Sequence, residues 1–172
     1  MLDELTVSLN CNQNLSFDQM TTAMNEILKG EHRDETVAKF LQGLTSKGET
    51  DDELLAMLEK MNQFSVHIEP SCKDDIIDMC GTGGDKLKTF NISTTASFVV
   101  AAAGGYVAKH GNRSVSGVSG SADIFEYFGF DLGSEPSKVG NMIEKFGIGF
   151  MFAQKFHPAM KNVASARKIL GM

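Results

Sequence analysis

Asp78-Met-Cys-Gly-Thr-Gly-Gly-Asp85, Asn91-Ile-Ser-Thr94, Lys109-His-Gly-Asn-Arg113 and Gly120-Ser-Ala-Asp123 punctuate one stretch of the chain, residues 78–123. Short apolar segments separate these clusters. Asp75-Ile-Ile-Asp-Met79, ahead of the first, has the length and composition of a buried strand. Tyr106-Val-Ala-Lys109, ahead of the third, reads as a second strand. Between them, residues 93–103 are small and apolar on nearly all sides, which predicts a well-buried helix broken by Gly104-Gly105. Strand, helix and strand in this order predict a parallel α/β sheet with crossover helices. In such sheets ligands bind beyond the carboxyl ends of the strands, where the glycine-rich and polar clusters fall.

The alternation continues downstream. Residues 122–128 read as a helix ended by Gly129, and 138–146 as another that buries Val139, Met142, Ile143 and Phe146. Residues 149–153 form a third strand, and 158–170 a last helix with Pro158 in its first turn. Three strands make a thin sheet with an open edge. A further strand is expected where the sequence stops, so the chain reads as the front part of a longer protein. Upstream of Pro70 the pattern is helical. Ser16-Phe-Asp-Gln19 and Thr50-Asp-Asp-Glu53 are capping-box signatures, Gly30 is a stop signal, and a middle helix is expected over 33–46. These three short amphipathic helices contain no obvious chemistry, and their apolar faces are either core or a partner surface. The expected organisation is a helical domain over 1–68 followed by a partial α/β domain over 69–172.

Composition narrows the function. The chain has 172 residues, 42% hydrophobic and 22% charged, with a net charge of -6. That balance argues against general nucleic-acid binding, which needs a basic surface to displace counterions. Cys11, Cys72 and Cys80 are too few and too scattered for a disulfide framework or a zinc site, which points to reduced thiols in the cytoplasm. Residues 1–10 have acids and no basic leader, and the longest apolar run, 98–103, is far too short for a membrane span.

The clusters suit a phosphate-rich ligand. Gly81-Thr-Gly-Gly-Asp85 places three glycines in five residues after a strand, so successive amides can form an anion-binding nest. It matches neither a P-loop nor a dinucleotide fingerprint. Asp85 beside such a nest suits sugar hydroxyls or a metal on the phosphates. Ser93 and Thr94 stand where a helix begins: they either cap it or add hydroxyls to an anion site at its N-terminus. Lys109 suits a phosphate as a point charge, while Arg113 either does the same or pairs with an acid. Arg167, well inside the last predicted helix, reads as a surface residue unless a carboxylate ligand recruits it.

Taken as an ordered set, Gly81–Asp85, Asn91–Thr94, Lys109–Arg113, Ser119–Asp123 and Phe156-His-Pro-Ala-Met160 closely resemble anthranilate phosphoribosyltransferase, over essentially the whole chain. The resemblance implies transfer of the phosphoribosyl group of phosphoribosyl pyrophosphate to the amine of anthranilate, in tryptophan biosynthesis. It also implies Mg2+ and a homodimer formed through the helical domain. By the same resemblance Gly81, Gly84, Asp85, Thr89, Asn91, Ser93, Thr94, Lys109, Gly117 and Ser121 hold phosphoribosyl pyrophosphate, with loop 109–117 folding over it. Ser93 also helps coordinate magnesium. Gly81, Asn112 and Arg167 contact anthranilate, and His110 and His157 line its approach. The family's further metal-binding Asp-Glu pair lies beyond the last residue here. The runner-up is a pyrimidine nucleoside phosphorylase, which shares the fold and a related glycine loop. A reading of another class is a non-catalytic dimerisation or ligand-binding module.

Overall fold

The computed structural model describes residues 1–72, 75–81, 90–114 and 119–171. Contacts divide the chain into two units, Met1–Ser65 with His157–Met172, and Val66–Phe156.

The first unit contains α1 (Leu2–Asn10), α2 (Phe17–Lys29), α3 (Asp34–Lys47) and α4 (Asp51–Gln63). Both expected capping boxes are present. Ser16 Oγ accepts from the Gln19 amide at 3.2 Å while Gln19 Oε1 accepts from the Ser16 amide at 2.9 Å. Thr50 and Glu53 repeat the exchange at the start of α4. Gly30 ends α2 in the left-handed region, at φ 77°.

Helix α1 was not among the three helices expected. It has no side-chain cap, so only the Leu2, Leu5, Leu9 stripe marks it, and those residues are buried. Met20, Ile27, Phe40 and Leu44 complete the core together with Val163 and Ala166. The last two come from the return segment, which is not the single helix expected over 158–170. It is a 3-10 turn, Pro158–Val163, followed by α9 (Ala164–Ile169). Within the turn Asn162 Nδ2 donates to the Leu28 carbonyl at 2.8 Å, an anchor outside the helix itself. Packing therefore groups residues 157–171 with the helices, although by order of elements they follow the sheet.

The second unit is built on three parallel strands in the order β1 (Ile76–Ile77), β2 (Tyr106–Gly111), β3 (Ile148–Phe152). Helix α5 (Ile92–Ala102) connects β1 to β2. Helices α6 (Ser121–Tyr127) and α7 (Pro136–Phe146) connect β2 to β3, and the short α8 (Ala153–Phe156) follows. Lys109 is paired with Phe150 and Val107 with Ile148, so alternation puts Val107, Lys109 and Phe150 on one face. That face packs against Ala122, Phe125, Leu132 and Phe98, with the Phe125 and Phe150 rings stacked at 4.5 Å. The other face carries Tyr106, Ala108 and Met151 against Val139, Ile143 and Phe156. Gly149 lets α7 approach closely, because a Cβ there would lie 2.8 Å from the Val139 carbonyl.

Three expectations for this unit fail in detail, the first being that Phe146, expected on the buried face of α7, is 69% exposed. Helix α5 is not buried on nearly all sides: Thr94 and Ser97 are buried, but Ile92 and Val99 are 56% and 64% exposed. Thr94 and Ser97 face inward beside Phe98 while Ile92 and Val99 face outward, so hydrophobicity alone misassigns its faces. Strand β1 is two residues rather than five, and both isoleucines are exposed. Among the described residues it is the edge strand, paired with β2 on one side only.

Candidate functional site

Side chains of Asp78 and Lys109 stitch together the carboxyl ends of β1 and β2. Asp78 follows β1, and its Oδ1 accepts from the His110 amide of β2 at 3.2 Å. Lys109 is only 2% exposed. Its ammonium donates to the Met79 carbonyl at 2.8 Å and to the His110 carbonyl at 3.3 Å. A buried cation bound to carbonyls fixes positive charge at the carboxyl ends of β1 and β2. Cys80 Sγ lies 3.8 Å from His110 Nδ1.

The N-terminus of α5 stands beside this pair. Its N-cap is Asn91, whose side chain makes no capping bond. The Asn91 amide group instead donates to Ser119 Oγ at 3.2 Å and to the Gly120 carbonyl at 3.4 Å. Neither Ser93 nor Thr94 is the cap, so that reading of the pair is settled against; both lie in the first turn, Ser93 half-buried and Thr94 buried. Ser97 Oγ donates to the Ser93 carbonyl at 2.7 Å one turn later.

The turn after β2 packs directly on the start of α6. The Asn112 carbonyl accepts from the Ala122 amide at 3.2 Å and from Ser121 Oγ at 3.4 Å. Asn112 Oδ1 accepts from the Arg113 amide at 2.8 Å. Two glycines permit this closeness. A Cβ on Gly111 would collide with Ser121 Oγ and reach 3.1 Å from Phe150, and one on Gly120 would lie 2.6 Å from the Asn112 carbonyl.

Of the two roles open to Arg113, the ion pair is the one formed. Arg113 Nη1 donates to Asp123 Oδ1 at 2.9 Å and to Glu126 Oε2 at 2.8 Å, while Nη2 donates to Glu126 Oε1 at 2.7 Å. Asp123 Oδ2 meanwhile accepts from the Gly120 amide at 2.6 Å and the Ser114 amide at 3.4 Å. The Gly120 amide above all, with the Arg113 guanidinium and the Ser114 amide, holds the Asp123 carboxyl below its usual range. The Arg113 bonds hold Glu126 down in the same way. Sequence reasoning assigned no role to Asp78, Ser119, Asp123 or Glu126. Of these, Asp123 carried a signal, since it stands three residues after Gly120 ahead of a helix.

Gly81, Asn91, Ser93, Thr94, Lys109, His110, Asn112 and Ser121 thus all belong to the sheet unit, around the ends of β1 and β2 and the starts of α5 and α6. Gly84, Asp85, Thr89 and Gly117 lie outside the described residues. His157 and Arg167 belong to the helical unit: His157 precedes the 3-10 turn, and Arg167 is exposed in the last turn of α9. Among the described residues no three His, Cys, Asp or Glu side chains are grouped to hold a metal. The Ser93 hydroxyl could supply a single donor to a metal carried by a phosphorylated ligand.

Comparison with known proteins agrees with this layout. Residues 5–65 match the helical bundle domain of a glycosyl transferase family, and residues 73–172 match its a/b domain. Anthranilate phosphoribosyltransferase of Nitrosopumilus maritimus is 64% identical over 99% of this chain and 49% of its own length. That of Chromobacterium violaceum is 48% identical over 91% of this chain and 46% of its own length. The chain spans about half the length of the curated relatives it matches. Among solved structures, anthranilate phosphoribosyltransferase of Thermus thermophilus superposes with a TM-score of 0.84 at 36% identity, covering 98% of this chain and 51% of that one. The Saccharomyces cerevisiae enzyme in complex with PRPP and Mg gives 0.87 at 26% identity, covering 99% and 51%. With its a/b domain matched over more than half the sequence and the helical bundle domain ahead of it, the chain belongs to this glycosyl transferase family.

Proposed function

We propose that the protein of which this chain forms at least part is an anthranilate phosphoribosyltransferase. It would move the phosphoribosyl group of phosphoribosyl pyrophosphate onto the amine of anthranilate, releasing pyrophosphate, as a step of tryptophan biosynthesis. The observation that carries this reading is the buried Lys109 ammonium on the Met79 carbonyl at the end of β1, with the Asn112–Ser121 contact at the end of β2. Breaking the bond from C1 to pyrophosphate develops negative charge on the leaving group and positive charge on the ribose. Fixed amide donors and a cation that face the leaving group are what such a step needs. Gly81, Gly84, Asp85, Thr89, Asn91, Ser93, Thr94, Lys109, Gly117 and Ser121 hold the phosphoribosyl pyrophosphate on this reading. Magnesium, when bound through the phosphates and Ser93, neutralises the departing pyrophosphate. An aromatic amine is already neutral near pH 7, so no strong general base is required. Gly81, His110, Asn112, His157 and Arg167 serve anthranilate, Arg167 by pairing with its carboxylate and thereby orienting the amine.

Dimerisation through the helical unit belongs to the same reading. It is supported by Val7 on α1 and by Leu54, Leu55 and Leu58 on α4, all large, apolar and about half or more exposed. A cytoplasmic location is supported by the three cysteines, which are all free thiols. Among the described residues no helix is long and apolar enough to cross a membrane.

The test is formation of phosphoribosyl anthranilate from the two substrates with Mg2+ by the verified full chain; no turnover would remove the reading. Arg167→Ala is expected to raise the KM for anthranilate by about 10- to 100-fold with a smaller change in that for phosphoribosyl pyrophosphate. An unchanged anthranilate KM would take Arg167 out of the carboxylate role.

A further inference from the structure

We infer that Arg113, Asp123 and Glu126 form a charged clasp that ties Ser114, after β2, and Gly120, before α6, to the first turn of α6, and that Arg113 is not itself a phosphate ligand. The inference rests on the phosphoribosyl pyrophosphate reading above. Both terminal nitrogens of the guanidinium are bonded to acids, Glu126 by both and Asp123 by one. One cation shared by two carboxylates leaves a local excess of negative charge, so an approaching phosphate would be repelled rather than bound there.

What the clasp does instead follows from the second oxygen of Asp123. That oxygen accepts the Ser114 amide on one side and the Gly120 amide on the other, tying both residues to the first turn of α6. The bond from Arg113 to the first oxygen fixes the carboxylate in the plane that allows both. From Gly120 the connection continues, since its carbonyl and Ser119 Oγ accept the Asn91 side chain at the start of α5. Asn112 and Ser121 are fixed by the same contact across Gly111 and Gly120. Arg113 thus acts on the ligand through Asp123, as a positioning residue. The three side chains are a third to a half exposed. Ion pairs of that kind add little to global stability, so their effect is local.

The test uses the full chain with Mg2+, comparing wild type with Arg113→Gln, Arg113→Lys and the reversed pair Arg113→Glu with Glu126→Arg. Arg113→Gln is expected to raise the KM for phosphoribosyl pyrophosphate about tenfold, by releasing Ser114 and Gly120, and to move that for anthranilate less. Its melting temperature should stay within about 2 °C of wild type. Amide exchange should quicken at Ser114 and Gly120 while the core of α7 is unchanged. Lysine, which keeps the charge but not the two-pronged geometry, should fall between. The reversed pair should recover most of the loss. Unchanged exchange at both amides, or an unchanged KM in Arg113→Gln, would overturn the clasp. Loss of activity with a melting temperature lowered by about 10 °C would assign Arg113 a general structural role and overturn it too. Absence of phosphoribosyl pyrophosphate binding by wild type would remove the underlying reading, and the clasp's substrate role with it. That failure is distinct because it appears before any substitution is made.

Discussion

At the scale of single residues, the helical unit depends on a carboxylate that contributes nothing to the proposed chemistry. Glu53 is fully buried, and it serves two partners beyond its capping role. Its oxygens accept the Leu15 amide at 2.7 Å, the Thr50 amide at 2.8 Å and the Lys47 ammonium at 2.9 Å. Burial by itself would push its carboxyl up, but these bonds outweigh burial and hold it below the ordinary glutamate value. A carboxylate whose folded value is depressed stabilises the fold above its unfolded value and loses that contribution as pH falls through the folded one. Glu53→Gln is therefore expected to cost about 2–4 kcal/mol near neutral pH, because it leaves the Lys47 ammonium without its counter-charge. The difference between variant and wild type should shrink as pH drops below the ordinary carboxylate range. Urea unfolding read from helical amides at two pH values checks both statements, and a difference that grew in acid would refute the assignment. Thr50-Asp-Asp-Glu53 showed in the sequence as a cap. That Glu53 also closes the turn at Leu15, thirty-eight positions away, did not show, because no local pattern encodes a long-range acceptor.

At the scale of elements, the contact of β2 with α6 is made by two glycines that behave differently on substitution. A Cβ at Gly120 would strike backbone atoms of Asn112, Arg113 and Ser114, which cannot move without breaking the turn. Gly120→Ala should then cost about 1–3 kcal/mol and greatly weaken phosphoribosyl pyrophosphate binding. At Gly111 the main obstacle is the Ser121 hydroxyl, a short side chain that can rotate away. Gly111→Ala should thus cost less stability but detach Ser121 from the Asn112 carbonyl, raising the KM for phosphoribosyl pyrophosphate with little change in melting temperature. Thermal unfolding beside steady-state kinetics separates the two, and equal stability losses would contradict the geometry. Glycine-rich turns after strands were legible as places of close approach. Which glycine faces backbone and which faces a side chain depends on how two elements meet, and that only coordinates supply. The same limit hid α1, whose Leu2, Leu5 and Leu9 are explained by packing on α3 rather than by a cap. It hid the outward face of α5 as well, since Ile92 and Val99 look like core to any hydrophobic scale.

At the scale of the molecule, both units expose large apolar side chains, Val7, Leu54, Leu55 and Leu58 among them on the helical unit, but they differ in how large a core they bury. The helical unit buries a continuous set from Leu2 to Ala56 and closes it with Val163 and Ala166. The sheet unit leaves Ile76, Ile77, Phe90, Ile92, Val99, Tyr127 and Phe128 at least one-third exposed, on an edge strand and on the outer sides of α5 and α6. The order of helices, strands and polar clusters could be read from periodicity and turn residues, because each is a local signal. The completeness of burial could not, because it is a property of neighbours. Opening free energy follows buried apolar contact, so the units should not open together in the 172-residue chain. Amides of α2 and α3 near Ile27 and Phe40 are expected to exchange at least about tenfold more slowly than those of β2 near Val107, a gap of about 1.4 kcal/mol in opening free energy. Val107 is itself fully buried, so a slow amide there would be the natural result if the sheet unit were as stable as the helices. Native-state exchange at neutral pH reads both sets in one experiment. Equal protection would mean that the smaller buried clusters of the sheet unit hold it as firmly as the larger core holds the helices.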